Sequence, residues 1–324
     1  MPHNFALLQT SRPSPLFPLP SCLAAAFWFA IPAGLPQTAS MRSSPFRLRL
    51  FTILSASVVA AGGMSLIYAA DAAKPAAKKP VVLYSRAFNA QGENRYSADG
   101  TFKDVLGQLA RTFDVRVSDR PLDRSLLQDV SVVVIANPSD KAVGTNPPPR
   151  HMLAVDILNL RQYVEKGGGL IVMGNQENHN LEIAHFNSLL GSFGLQFTNV
   201  YTDAKKLVIP KTAPIIGGLR WAYYTGNQVL VKPDHRAKAR SLVANDLAQK
   251  PDKGPRDAAG SLLAIAEPGQ GRVAVITDAG WLTNDALSGK GIGEVAIKDH
   301  DNLEIMRRLL NWTARVESLN TGKP

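Results

Sequence analysis

The chain has 324 residues, with 36 Lys and Arg against 26 Asp and Glu, a size that suits one large domain or two small ones. Its single cysteine, Cys22, lies in a Pro- and Ala-rich leader, which excludes disulfides, thiolate zinc sites and cysteine nucleophiles downstream. The positive surplus is scattered, with no basic stripe interleaved with aromatics, and this argues against a nucleic-acid partner.

Residues 1–70 carry Arg12, Arg42, Arg47 and Arg49 and no acidic residue. From Met41 the order is a basic segment, an apolar run over 50–68, and small residues Ala69 and Ala70 before Asp71, as in a secretory signal. The leader therefore predicts a periplasmic or secreted domain, with Met41 as a candidate start. The alternative is an uncleaved anchor over 50–68, the one route by which the membrane would be a partner. Without the four leader arginines, 32 basic and 26 acidic side chains remain, a net of +6. An Ala/Pro linker follows over 71–80, then a domain over 81–316 and a tail over 317–324.

Val81 to Ser85 is a short β-branched run suited to a strand covered on both faces. The polar loop after it contains Arg86, Asn89, Gln91, Glu93, Asn94, Arg95 and Tyr96. Phe102, Val105, Leu106, Leu109 and Phe113 recur at helical spacing, and Asp114 to Val117 reads as a second strand. Val130 to Ala136 is the clearest buried strand, broken by Asn137-Pro-Ser-Asp140 and then by Asn146-Pro-Pro-Pro149. Leu153, Ile157, Leu160 and Val164 define a second helix, stopped by Gly167-Gly-Gly169, and Leu170 to Met173 form the next strand.

That strand opens into an amide-rich loop, Asn175, Gln176, Glu177, Asn178, His179 and Asn180. Side-chain amides offer both donors and acceptors to sugar hydroxyls or peptide groups, while the plainer role is to cap a helix from Leu181 and form turns. Residues 194–200 read as a strand, 207–231 as an irregular or antiparallel section, and 241–244 as a strand. The aromatic run Trp221, Tyr223, Tyr224 suits sheet packing, with a carbohydrate platform as the sharper alternative. Two strands flank Glu267-Pro-Gly-Gln-Gly271 as a hairpin. A long loop over 278–299 then leads to a final amphipathic helix, with Asp301 as its expected cap.

The loop carries a second constellation: Asp278, Trp281, Asn284, Asp285, His300 and Asp301. Two carboxylates and a histidine could act as acid and base or hold a metal, and Trp281 could stack on a sugar ring. The spacing matches no metal motif, so the expectation is no metal and no cofactor, with capping and loop anchoring as the plainer role.

The element order, together with Tyr163-Val-Glu-Lys-Gly-Gly-Gly-Leu-Ile-Val172, Leu189-Leu-Gly-Ser-Phe-Gly-Leu-Gln-Phe197 and Gly271-Arg-Val-Ala-Val-Ile-Thr-Asp278, resembles the class I glutamine amidotransferase-like superfamily. Within it the chain is similar to the non-catalytic envelope and motility branch, with its gliding-motility and intraflagellar-transport domains. The resemblance implies an α/β fold, flavodoxin-like, with a mostly parallel central sheet and helices on both faces. An antiparallel or irregular insertion and a C-terminal hairpin plus helix complete it. True amidotransferases place a cysteine on the turn after the central strand; here that turn is Gly174-Asn-Gln-Glu-Asn178, and the activity is not carried over. No catalytic residue is assigned.

What remains is a binding or scaffold domain of the cell envelope, with an envelope glycan or protein partner. The candidate contacts are Arg86, Asn89, Asn137, Asn175, Gln176, Glu177, His179, Asp278 and Trp281. The alternative is an envelope hydrolase acting on sugars through Glu177, Asp278 or Asp285.

Overall fold

A computed structural model describes residues 78–175, 180–198, 202–203, 206–244, 260–291 and 296–316. The leader with its 50–68 run, linker residues 71–77, Gln176, Glu177, Asn178, His179 and the 317–324 tail lie outside the described residues.

The continuous apolar runs form strands buried on both faces: β1 (Val81–Ser85), β3 (Val132–Ala136) and β4 (Gly169–Met173). With β2 (Asp114–Ser118) and β13 (Arg272–Ile276) they make the parallel part of the sheet, in the order β2-β1-β3-β4-β13. β-Branched residues dominate because a strand covered by helices on both sides has no solvent face to keep polar. One register row runs Val117, Tyr84, Val134, Ile171, Ala274.

Helices cover both faces. α1 (Lys103–Leu109) and α6 (Asn302–Thr313) pack with Tyr84, Val134, Met173 and the buried Trp221 and Trp281 on one face. On the other, α2 (Arg124–Leu127), α3 (Ala154–Glu165) and α4 (Ala184–Leu190) bury Leu127, Leu160, Val164, Phe186 and Leu190 against Leu83, Val133 and Val172. The helical spacing read from Phe102 to Phe113 and from Ile157 to Val164 holds. Leu153 does not join the stripe. It precedes α3 and is 56 % exposed, and its N–H donates to Asp156 at 2.8 Å, as a first-turn carboxylate does for a helix start.

The rest of the sheet is antiparallel. β12 (Ser261–Ala266) pairs with β13 across the expected hairpin, then come β10 (Val229–Val231) and β5 (Leu195–Phe197), with β11 (Arg240–Ala244) also on β12. Two small ladders fill the irregular section: β6 (Thr202–Asp203) with β9 (Thr225–Gly226), and β7 (Lys206–Val208) with β8 (Arg220–Ala222). The long loop is shortened by α5 (Asn284–Leu287), capped by Thr283.

The expected cap of α6 is corrected. Asp301 stands at the cap position without capping. Its carboxylate instead accepts from the Arg220 backbone N–H at 2.8 Å and from Arg220 Nε at 3.1 Å. Arg220 also pairs with Asp299, and a guanidinium fork outcompetes a neutral N–H for a carboxylate. The neighbouring Asn302 fixes the helix start, donating to Ala222 O at 3.1 Å and to Trp281 O at 2.6 Å.

Candidate functional site

The five parallel strands end together, so their following loops share one carboxyl edge. In open α/β sheets ligands bind there, at the point where strand order reverses; in this sheet that point lies between β1 and β3.

At the β1/β3 ends the edge holds a cavity of about 310 Å³ lined by Arg86, Ala87, Asn89, Ala90, Gln91, Gly92, Asp119 and Arg150. Arg86 follows β1 directly, its backbone N–H bonded to Ser118 O at 2.7 Å. Its Nε is buried without an acceptor. Asn89 is 8 % exposed and donates through Nδ2 to Ala136 O at 2.7 Å and Asn137 O at 3.2 Å, joining the two loops. Its Oδ1 has no donor. Asn137 takes the left-handed backbone at φ +47°, a conformation its short polar side chain tolerates, and its Oδ1 is also buried without a partner. Arg150 enters from the segment before α3, bonded to Asp156 at 2.7 Å and lying over the Phe88 ring.

At the β4/β13 ends the described residues form a buried polar knot. Tyr84 donates its hydroxyl to Tyr96 O at 2.6 Å, and Asn175 Nδ2 donates to the Tyr96 hydroxyl at 2.6 Å. Asn227 Nδ2 donates to Asn175 O. The Tyr223 hydroxyl meets Thr277 Oγ1 at 2.8 Å. A Cβ at Gly226 would collide with the Thr277 carbonyl and the Tyr223 hydroxyl, so glycine is what lets these strands close. Tyr96 is held at φ +60°, strained for a bulky residue. The Thr101 hydroxyl accepting its N–H at 2.8 Å adds to the two bonds above, the over-determination that strain requires.

Asp278 is the carboxyl group of the knot. It is 1 % exposed and accepts from Gly280 N–H at 2.6 Å and Tyr224 N–H at 3.3 Å. Burial pushes its carboxyl up to about 7, against the lowering effect of backbone N–H groups from Gly280, Tyr224 and Ala279. Tyr96 is raised well above the ordinary phenol range by burial first and by Asp278 second; Tyr224 rises to about 12 for the same two reasons.

The residues singled out in the sequence thus separate. Arg86 and Asn89 face the cavity and Asn137 adjoins it. Asn175 and Asp278 sit in the knot. Trp281 is fully buried, edge-on to Trp221 at 5.5 Å, so both ring faces are occupied by the core and neither is open to a sugar. Trp221, Tyr223 and Tyr224 are likewise buried, the packing role of the two considered. Asp285 is exposed on α5, and His300 contacts Ala286 O at 3.0 Å; neither joins Asp278. The His185 and Phe186 N–H groups in the first turn of α4 bond Glu182, at 2.9 and 3.2 Å, while the capping expected of the amide loop falls largely outside the described residues. Gln176, Glu177 and His179 lie outside the described residues. Among the described residues no group of three or more His, Cys, Asp or Glu could hold a metal.

Sequence reasoning missed Tyr84, Arg150, Asp119, Asn227 and Thr277. The Pro-Pro-Pro run before Arg150 marked a loop on the right edge, the one local signal available. Two larger grooves exist, of about 830 Å³ along α2 and α3 and about 850 Å³ between α1 and α6. The first includes Ser131, Gly167 and Gly168 at the strand starts, and both are more open than the edge cavity. The smaller, less open cavity lies at the switch point, where open α/β sheets place their ligands.

No protein-family model matches the chain, and no curated protein matches it. Among solved structures the mmIFT52 N-terminal domain aligns with a TM-score of 0.54 at 14% identity, covering 74% of this chain and 99% of that one. Putative ThuA-like proteins from Bacteroides uniformis (TM-score 0.43, 12% identity, 76% of this chain and 97% of that one) and Parabacteroides merdae (0.43, 14%, 76% and 93%) are more distant and add nothing to the comparison. The first likeness shows the fold, a mixed α/β domain of the kind seen in the mmIFT52 N-terminal domain.

Proposed function

We propose that the chain is an exported binding and scaffold domain of the cell envelope, without amidotransferase chemistry, that takes a glycan or protein partner at the carboxyl edge of its sheet. The observation that carries this reading is the division of that edge. At the β4/β13 ends, among the described residues, Asn175 and Asp278 are buried in hydrogen bonds within the fold. At the β1/β3 ends a polar cavity stands open with guanidinium and amide groups in its wall. Such a surface supplies recognition without a nucleophile and base pair.

The test is a screen of the purified protein against envelope glycans, together with glycosides and acylated sugars as substrates. The reading expects affinity without product, or co-purification of a protein partner from envelope extracts. Product formation by the intact chain would overturn it. Export is tested separately by mass spectrometry of the mature amino terminus, where a start near Asp71 supports signal cleavage.

One observation favours a second reading. Asp278 has the carboxyl raised to about 7, and shifted groups cluster at catalytic sites. An envelope hydrolase using Asp278 would show turnover that disappears in Asp278→Asn and follows a pH profile with a limb near 7.

A further inference from the structure

The geometry points to a metal site outside the lining of the β1/β3 cavity: His151 and His185 form a two-imidazole site for a divalent cation of the zinc class, each ring oriented by its own carboxylate.

His151 stands between two anchored neighbours, Arg150 on the buried Asp156 and Met152 in the core, and His185 lies in the first turn of α4. Their ring centroids are 5.1 Å apart and the planes are tilted by 41°. Each ring gives one nitrogen to a carboxylate: His151 Nε2 donates to Asp140 Oδ1 at 2.6 Å, and His185 Nδ1 to Glu182 Oε1 at 3.1 Å. An ionised carboxylate only accepts, so it holds the proton on that nitrogen and leaves the lone pair of the neutral ring on the other. Those other nitrogens, His151 Nδ1 and His185 Nε2, bond no described residue. The carboxylates are held in turn. Asp140 N–H donates to Asn180 O at 2.8 Å and Glu182 N–H to Pro138 O at 2.9 Å, on either side of the Ser139–Leu181 bridge. Glu182 is buried. Metal-binding histidines use this arrangement, one nitrogen on an outer carboxylate and the other on the ion. The spacing fits as well, since two imidazoles on one tetrahedral ion, with metal–nitrogen bonds of about 2.0–2.1 Å, place their centroids about 5 Å apart. So does the charge: among the described residues no Lys or Arg pairs with Asp140 or Glu182, and a divalent cation offsets the two carboxylates. Imidazole ligands select zinc and its neighbours over magnesium and calcium. No three groups converge on one point, so the ion takes two protein ligands, and the half-exposed rings leave room for water to complete its shell.

The test is calorimetric titration of the untagged full-length chain with zinc chloride, with magnesium and calcium chloride as controls. Saturable zinc binding is expected with a dissociation constant on the order of 100 µM or tighter, since two ligands are half the set of a structural zinc site. Magnesium and calcium should bind at least about tenfold more weakly. His151→Gln and His185→Gln should each weaken zinc about tenfold or more, and Asp140→Asn about tenfold by releasing the ring it orients. His235→Gln, which changes a ring bonded to the Ala237 N–H instead, should leave zinc binding unchanged. Thermal unfolding without metal should be the same in the parent and the His151 and His185 variants, while zinc at about 1 mM should raise the unfolding temperature of the parent alone. No saturable zinc binding, zinc binding that neither His151→Gln nor His185→Gln weakens, or magnesium bound as tightly as zinc would each overturn the inference. None of these outcomes bears on the glycan or protein partner, which the screen above tests by itself.

Discussion

The two halves of one sheet edge solve opposite problems. At the ends of β4 and β13, Asn175, Asn227, Thr277 and the Tyr84–Tyr96 pair are tied by buried hydrogen bonds, with Asn227 Oδ1 left without a partner. At the ends of β1 and β3, Arg86, Asn89 and Asn137 keep polar atoms without partners. Side chains of the same kind, amides and charged groups in loops after parallel strands, therefore tie the fold together in one place and border a cavity in the other. The difference is in how far the bonds reach: the knot ties distant segments together through side chains, whereas the β1/β3 ends border a cavity, and buried polar atoms without partners occur on both sides.

The sharpest way to break the comparison is Tyr96→Ala. It removes a buried ring packed on Phe102 and the acceptor of the Asn175 bond, and it should cost about 3–5 kcal/mol of unfolding free energy in urea titration. A small cost would mean that the knot is not what ties the fold together there.

Next in size is the pH dependence set by Asp278. Its folded pKa of about 7 stands above the ordinary 3.8, so the folded state holds the proton where the unfolded chain has released it. This contribution is fully present below about pH 4, and falls as pH rises to about 7, by a total of about 4 kcal/mol in order of magnitude. Denaturation series at stepped pH should show that decline, and Asp278→Asn should remove it. A flat profile in the parent protein would mean that Asp278 stays ionised and solvated.

Thr277→Val keeps the shape but deletes the hydroxyl shared with Tyr223 and with Leu262 O. A loss of about 1–3 kcal/mol is expected by thermal or urea unfolding. At the other end of the scale, Arg86→Gln should leave stability within about 0.5 kcal/mol, because its side chain has no ion pair with a described residue to lose. A large loss there would move Arg86 from the cavity side of the comparison to the structural side.

Much of this molecule was legible in its sequence, because periodicity and turn chemistry are local properties. The β-branched runs at Val81 and Val132, the helical stripe from Phe102 to Phe113, the hairpin at Gly269 and the absence of a nucleophilic cysteine required no knowledge of distant residues. The carboxyl edge of the sheet followed from the order of elements, as did the places of Arg86, Asn89 and Asn137 in the loops after β1 and β3. Which polar residues would be satisfied was not legible, since each answer depends on a partner far along the chain. Asn175 meets Tyr96 across 79 positions, Asp301 is drawn to Arg220 across 81, and Trp281 is sealed by Trp221. Local pattern fixes where strands, helices and loops lie; only packing decides whether a polar side chain in a loop has an internal partner or is left facing a cavity.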